Sequence, residues 1–161
     1  MKIRIATIED IPGMMALDRA SPTAAHWSER QYRELLEQEV SATDKLVLAV
    51  DAERASTGET ARQDGQTLAG FLVARGVQSE WELENIVVAA GVRRRGLAKR
   101  LLEDLLARIR RAGGSVFLEV RESNTAARSL YEKAGFREAG RRKSYYVNPS
   151  EDAVQYRQRL G

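Results

Sequence analysis

Residues 81–136, WELENIVVAAGVRRRGLAKRLLEDLLARIRRAGGSVFLEVRESNTAARSLYEKAGF, decide the architecture. The opening WELENIVVAAG is rich in apolar and β-branched residues and reads as a strand over 81–91. From Gly96 to Ala112 the period changes. Leu97, Leu101, Leu105 and Ile109, flanked by Leu102 and Leu106, recur at helical spacing until Gly113-Gly114 ends the run. SVFLEVR (115–121) is again an apolar strand. SNTAARSLYEKAGF (123–136) is a second helix, capped by Ser123 or Asn124 and stopped at Gly135. Strand, helix, strand and helix in this order call for parallel strands with crossover helices, hence a mixed α/β fold.

Working outward, residues 2–6 alternate as a short strand, and Thr7, with Glu9 and Asp10 behind it, suits a helix start. Pro22 interrupts, and 28–40 reads as another helix with Ser28 as N-cap and Tyr32, Leu35, Leu36 and Val40 on one side. Segments 46–52 and 67–76 read as a strand pair, separated by a polar, aperiodic hairpin loop over 53–66. Two more strands close the chain near 137–147 and 152–160. A chain of 161 residues fits one domain over 1–161, large enough for a core without metal or disulfide support.

Composition removes several classes of chemistry. The absence of cysteine excludes a disulfide scaffold, a thiol nucleophile and a thiolate-ligated metal. His26 is the one histidine, so no multi-histidine metal site is available. No apolar run approaches the ~20 residues that cross a bilayer, and the acidic residues in MKIRIATIEDIPGM do not suit a signal peptide, so a cytoplasmic, membrane-free protein is expected. Net charge is only +3, yet basic residues gather at Arg93, Arg94, Arg95, Lys99 and Arg100 and at Arg108, Arg110 and Arg111. That pattern points to a local anion site rather than a nucleic-acid-coating surface.

The junction Val92-Arg93-Arg94-Arg95-Gly96-Leu97-Ala98-Lys99 joins a strand directly to a helix. Gly96 and the small Ala98 let a phosphate approach the backbone, where first-turn N–H groups and the helix dipole would hold its charge. Neither a P-loop ending nor a three-glycine dinucleotide fingerprint is present. Read by itself, the segment is equally a solvated, Arg-rich turn.

Arg93-x-x-Gly96-x-Ala98, opening a leucine-rich helix, resembles the pyrophosphate-binding motif of the GCN5-related N-acetyltransferase superfamily. Asn124-x-x-Ala127-x-x-Leu130-Tyr131-Glu132-Lys133-Ala134-Gly135-Phe136 resembles its second signature. Within the superfamily the chain is most similar to bacterial ribosomal-protein-alanine N-acetyltransferases. That similarity runs through Asn85-Ile86-Val87-Val88, Phe117 to Asn124, Arg141-Arg142-Lys143-Ser144-Tyr145-Tyr146 and Glu151-Asp152-Ala153. It implies a splayed mixed sheet with helices on both faces and acetyl-CoA between two separating parallel strands. The implied reaction is acetylation of a protein N-terminus, that of a small-subunit ribosomal protein beginning with alanine, by a monomer or weak homodimer using no metal and no nucleic acid.

The resemblance implies roles residue by residue. Ile86, Val87 and Val88 match the strand along the pantetheine arm; Arg93, Arg94, Arg95, Gly96, Leu97, Ala98 and Lys99 match the pyrophosphate loop; Asn124 and Tyr131 match cofactor contacts. Glu119 matches the general base and Tyr131 the general acid, with an oxyanion donor expected from a backbone N–H freed by a bulge at 86–88. On the strand alone, Glu119 is as readily a carboxylate paired with Arg121 or another base, and on spacing alone Tyr131 is core packing. Trp27, Tyr145 and Tyr146 either wall the acceptor pocket or pack helix 2 against the tail strands. Ala98 stands where glycine is usual, Ala89-Ala90 where Asp-Pro is usual, and Ala25-His26-Trp27-Ser28 where His-Pro-Trp-Ser is usual. The last departure touches the acceptor side. It keeps open a small-amine acetyltransferase acting on a polyamine, antibiotic or amino acid, and beside that a non-catalytic CoA-binding module.

Overall fold

The computed structural model describes residues 1–37, 44–53 and 68–161. The strands are β1 (Ile3–Ile5), β2 (Asp44–Asp51), β3 (Leu68–Val77), β4 (Glu80–Val88), β5 (Gly114–Arg121), β6 (Arg137–Tyr146) and β7 (Glu151–Leu160). The helices are α1 (Ile11–Ala20), α2 (Glu29–Glu37), α3 (Leu97–Ala112) and α4 (Thr125–Lys133). One mixed sheet forms in the order β1-β2-β3-β4-β5-β7-β6. β4 and β5 pair in parallel; the other neighbours are antiparallel.

Most boundaries agree with the sequence pattern, and the differences have local causes. The helix expected from Thr7 begins as a 3-10 turn, Ile8–Asp10, in which Thr7 and Asp10 form a capping box, and α1 follows with Pro12 near its start. Ser28 caps α2 as expected, its Oγ accepting from Gln31 N at 3.2 Å. Residues 38–43 and 54–67 lie outside the described residues, including Val40 and nearly all of the loop expected at 53–66. The strand expected over 81–91 stops at Val88, because Ala90–Val92 wind into a 3-10 turn that leads into α3.

The sheet is buried on both faces. In β2, Leu48 and Val50 pack toward α3 and α4, while Val47 and Ala49 join Ile11, Met14, Tyr32 and Leu35 of α1 and α2. The stripe Leu97, Leu101, Leu105 and Ile109 of α3 is buried against the first of these faces, as its spacing predicts. No helix among the described residues is long and apolar enough to cross a membrane.

One departure from regularity positions everything that follows. The parallel ladder runs only from Glu80↔Ser115 to Glu82↔Phe117. Beyond it β4 continues to Val88 and β5 to Arg121 without pairing, each held by its outer neighbour, β3 or β7. β4 also bulges, its pairing with β3 skipping Glu84 just past the last parallel pair. A bulge bends and twists its strand, which is what opening the sheet here requires.

Leu101 is fully buried between α3 and the sheet. Leu101→Ala is therefore expected to lower unfolding free energy by about 3 kcal/mol, read from urea denaturation.

Candidate active site

The gap between β4 and β5 joins two cavities, one on each side of the sheet. The first, about 560 Å³, is lined by Ile86, Val87 and Val88 of β4, by Val92, Arg93, Arg94, Gly96, Leu97, Ala98 and Lys99, and by Asn124, Ala127, Leu130 and Tyr131. The second, about 720 Å³, is lined by Trp27, Arg75, Glu82, Glu84, Asn85, Glu119, Arg121, Tyr145 and Tyr146 among others. Pro22, Thr23, Ile86, Asn124, Ala127 and Tyr131 line both. The expected site residues therefore come together, with one exception: Arg95 lies outside both linings.

In the first cavity, Gly96 is the N-cap of α3 at φ 73°, a left-handed conformation that glycine adopts without strain, and no side chain caps the helix. The next amides, Leu97, Ala98 and Lys99, have no intrahelical acceptor. Arg94 is also left-handed, at φ 63°, and consecutive amides turned inward by such a backbone make an anion-binding concavity. Arg93 and Arg94 form no salt bridge with any described residue, and Arg93 Nε donates to Val88 O at 3.3 Å at the edge of the gap. Asn124 is the cap of α4, accepting from Ala127 N at 3.2 Å, which resolves the choice between Ser123 and Asn124.

Hydrogen-bond alternation shows what β4 offers to the gap. Ala89 N donates to Ala69 O at 2.8 Å, so Val87 belongs to the β3 ladder and the N–H and C=O groups of Ile86 and Val88 point toward the gap. The splay of the strands leaves this edge without a partner strand, with Val88 O accepting from Arg93 Nε at 3.3 Å. The expected bulge at 86–88 is instead at Glu84, because bending is needed where the parallel ladder ends.

The second cavity is built around carboxylates. Leu118 and Val120 pack on the α3–α4 side, so Glu119 between them faces the other way, into this cavity. Its partner is Arg142 rather than Arg121: Arg142 Nε lies 2.7 Å from Glu119 Oε1, and Gln155 Nε2 donates to the same oxygen at 3.0 Å. Arg121 pairs with Glu151, and Arg75 with Glu84 at 3.0 Å. Glu82, across the cavity, accepts no hydrogen bond from a described residue. Burial, with Glu84 and Glu119 close by, raises its pKa above the usual carboxylate value.

Tyr131 is both core and site. Its ring packs against Phe136 and Tyr156 at 5.8 and 6.3 Å, yet it lines both cavities at the gap. Burial, with a smaller contribution from Tyr146, pushes its phenol further above neutrality than the usual tyrosine. Trp27 packs at a tilt against Tyr32, with ring centroids 5.4 Å apart, while Tyr145 and Tyr146 contact each other at 5.2 Å. All three wall the second cavity; no aromatic stack links α2 to β6 among the described residues.

Sequence reading missed Glu82, Arg142 and Gln155. Glu82 sits in a strand whose bulge breaks the simple alternation, and Arg142 and Gln155 come from strands whose register no local pattern reveals. No group of three or more His, Asp or Glu side chains suited to a metal ion occurs among the described residues.

The model of the acetyltransferase (GNAT) family matches residues 14–136. The ribosomal protein bS18-alanine N-acetyltransferase of Escherichia coli K12 is 41% identical over 95 residues, 57% of this chain and 64% of that protein. The N-alpha-acetyltransferase RimI of Mycobacterium tuberculosis is 38% identical over 103 residues, 62% of this chain and 64% of its own. The chain thus matches just under two thirds of the length of these relatives. The crystal structure of the ribosomal-protein-S18-alanine N-acetyltransferase from Escherichia coli superposes with a TM-score of 0.75 at 28% identity, covering 99% of this chain and 94% of the other.

The raised pKa of Glu82 has a sign that stability measurements can read. The folded state binds its proton more tightly than the unfolded chain, so this contribution is present at low pH and is lost as pH rises through the folded value. Glu82→Gln is expected to melt above wild type at pH 7, with the two melting temperatures converging near pH 4.

Proposed function

The chain belongs to the acetyltransferase (GNAT) family, and from that premise we propose that it transfers acetyl from acetyl-CoA to the N-terminal α-amine of a protein. The observation that carries this reading is the gap between β4 and β5. It connects an anion-binding, apolar-walled cavity to a carboxylate-lined one, with Tyr131 at the junction.

The residues present suit acetyl-CoA. The uncapped amides after Gly96, with Arg93, Arg94 and Lys99, would hold the diphosphate. The strand edge at Ile86 and Val88 would pair with the amides of the pantetheine arm, with Arg93 giving up its contact to Val88 O where the arm takes it, and Asn124 would contact the arm from α4. The thioester supplies an activated acetyl carbonyl, so the protein's tasks are to orient the amine, remove its proton and stabilise charge on the carbonyl oxygen. A backbone N–H of the β4 edge, at Ile86 or Val88, meets that charge. The new C–N bond forms as the C–S bond breaks. The amine proton passes to Glu119, directly or through water, and the thiolate takes a proton from Tyr131. Arg142 and Gln155 converge on Oε1 of Glu119, which leaves Oε2 as the oxygen for the proton in transit. Glu82 is a second assignment for the base, favoured by its raised pKa and its lack of a hydrogen-bond donor.

Amine chemistry favours an N-terminus. An α-amino group with pKa near 8 is about 10% neutral at pH 7, which costs roughly 1.4 kcal/mol, whereas a lysine pays about 4.6 kcal/mol. Similarity to the bS18-alanine acetyltransferases supports a ribosomal protein beginning with alanine as the acceptor. Trp27, Tyr145 and Tyr146 form the wall against which its first residues would rest.

Thiol release should be faster with an alanine-starting peptide than with spermidine; preference for spermidine would remove the N-terminal claim. Glu119→Gln and Tyr131→Phe should each lower kcat by about 10²-fold or more, with acetyl-CoA affinity nearly unchanged. The pH–rate profile identifies the base: its acidic limb disappears in Glu119→Gln, or in Glu82→Gln under the second assignment.

A further inference from the structure

One wall of the second cavity has no regular structure to hold it: the connection between α1 and α2. Pro22 and Thr23 line both cavities, and Ala24 to Trp27 line the second. His26 within it has φ 56°, a region that strains a residue bearing a β-carbon. The segment keeps this shape because its amides are held from below. Asp18 of α1, only 1% exposed, accepts from His26 N at 2.8 Å through Oδ1, and from Trp27 N at 2.9 Å and Tyr32 Oη at 2.5 Å through Oδ2. Tyr32 Oη in turn accepts from Asn85 Nδ2 at 3.4 Å, and Asn85 Oδ1 accepts from Ala25 N at 3.4 Å. Above the clamp, Trp27 lies between Tyr32 and the Arg75 guanidinium, at 5.4 and 5.5 Å. Two helices, the β4 edge and the cavity wall thus meet at one buried carboxylate.

We propose that Asp18 is a positioning residue that, with Tyr32 and Asn85, fixes residues 25–27 as the acceptor-side wall and so controls which amine is bound. Asp18 touches no reacting atom. Its effect is on the shape of the cavity, and the inference rests on the acetyl-transfer reading above. Both oxygens of Asp18 are in use as acceptors. An asparagine there turns an N–H toward at least one donor and leaves a buried polar group unpaired.

The test pairs kinetics with amide exchange. In Asp18→Asn, KM for an alanine-starting peptide should rise about tenfold or more, while kcat and acetyl-CoA affinity stay within about twofold. Exchange at the His26 and Trp27 amides should accelerate while the amides of α3 and β5 keep their protection. Tyr32→Phe, which keeps the ring and removes one donor, should shift the same quantities less far; it decides the matter by itself if Asp18→Asn does not fold. Unchanged peptide KM in the folded variants, or equal losses in kcat, peptide KM and acetyl-CoA affinity, would overturn the proposal. If wild type acetylates no amine, the functional reading fails, and the exchange experiment still judges the clamp: unchanged exchange at 26 and 27 contradicts it.

Discussion

Three parallel residue pairs, Glu80 to Glu82 against Ser115 to Phe117, are all that join β4 to β5. That early end to hydrogen bonding is the constraint on which the rest depends. Were the ladder to continue, the sheet would be a closed partition and the two cavities would not communicate. Because it stops, the backbone edge of Ile86 and Val88 has no neighbouring strand, and only Val88 O finds a partner among the described residues, the Arg93 guanidinium at 3.3 Å. A ligand carrying its own amides is a suitable partner. The bulge at Glu84 bends β4 out of register, while β3 and β7 hold the outer edges, so the opening does not dissolve the sheet.

The window also divides the proposed chemistry by face. On the α3–α4 side the groups are backbone dipoles, arginines without a carboxylate partner among the described residues and an apolar floor, suited to gripping a long anionic carrier. On the α1–α2 side they are carboxylates and aromatics, suited to accepting a proton and seating a chain end. Tyr131 belongs to both. Burial raises its pKa above the usual phenol value, so Tyr131 carries its proton at neutral pH and releases it only where strong negative charge develops, as on a departing thiolate. Glu119 and Glu82 share one cavity, and their mutual repulsion is relieved unequally: Arg142 neutralises Glu119, while Glu82 has only the more distant pull of Arg75 and Arg142.

How much of this could be read from the chain follows the range of each interaction. The helical period of Leu97 to Ile109, the Gly96 turn and a cap at Ser123 or Asn124 are local signals; the structure agrees with the first two and selects Asn124 for the third. The strand pattern over 81–91 overruns the end of β4 at Val88 because Val87-Val88-Ala89-Ala90 reads as continuous β pattern, while the 3-10 turn at Ala90–Val92 carries no distinct signal. Glu119's partner was unreadable: choosing Arg142 over Arg121 needs the β5–β7–β6 order, in which the last strand of the chain inserts between its predecessors. Asp18 was hidden for a different reason. A lone aspartate near the end of an amphipathic helix looks solvated, and only the return of His26, Trp27 and Tyr32 above it makes it the most heavily hydrogen-bonded carboxylate beside the site.

The most direct measurement is a crystal structure with a bisubstrate compound joining CoA to an alanine-starting peptide. The account predicts the diphosphate on the amides after Gly96, the pantetheine arm along Ile86 and Val88, and the sulfur in the gap within hydrogen-bond reach of Tyr131. In that structure the peptide end faces Glu119 and Glu82 on the other side of the sheet. A diphosphate bound elsewhere, or a sulfur and peptide lying on one face with the gap unused, would contradict it.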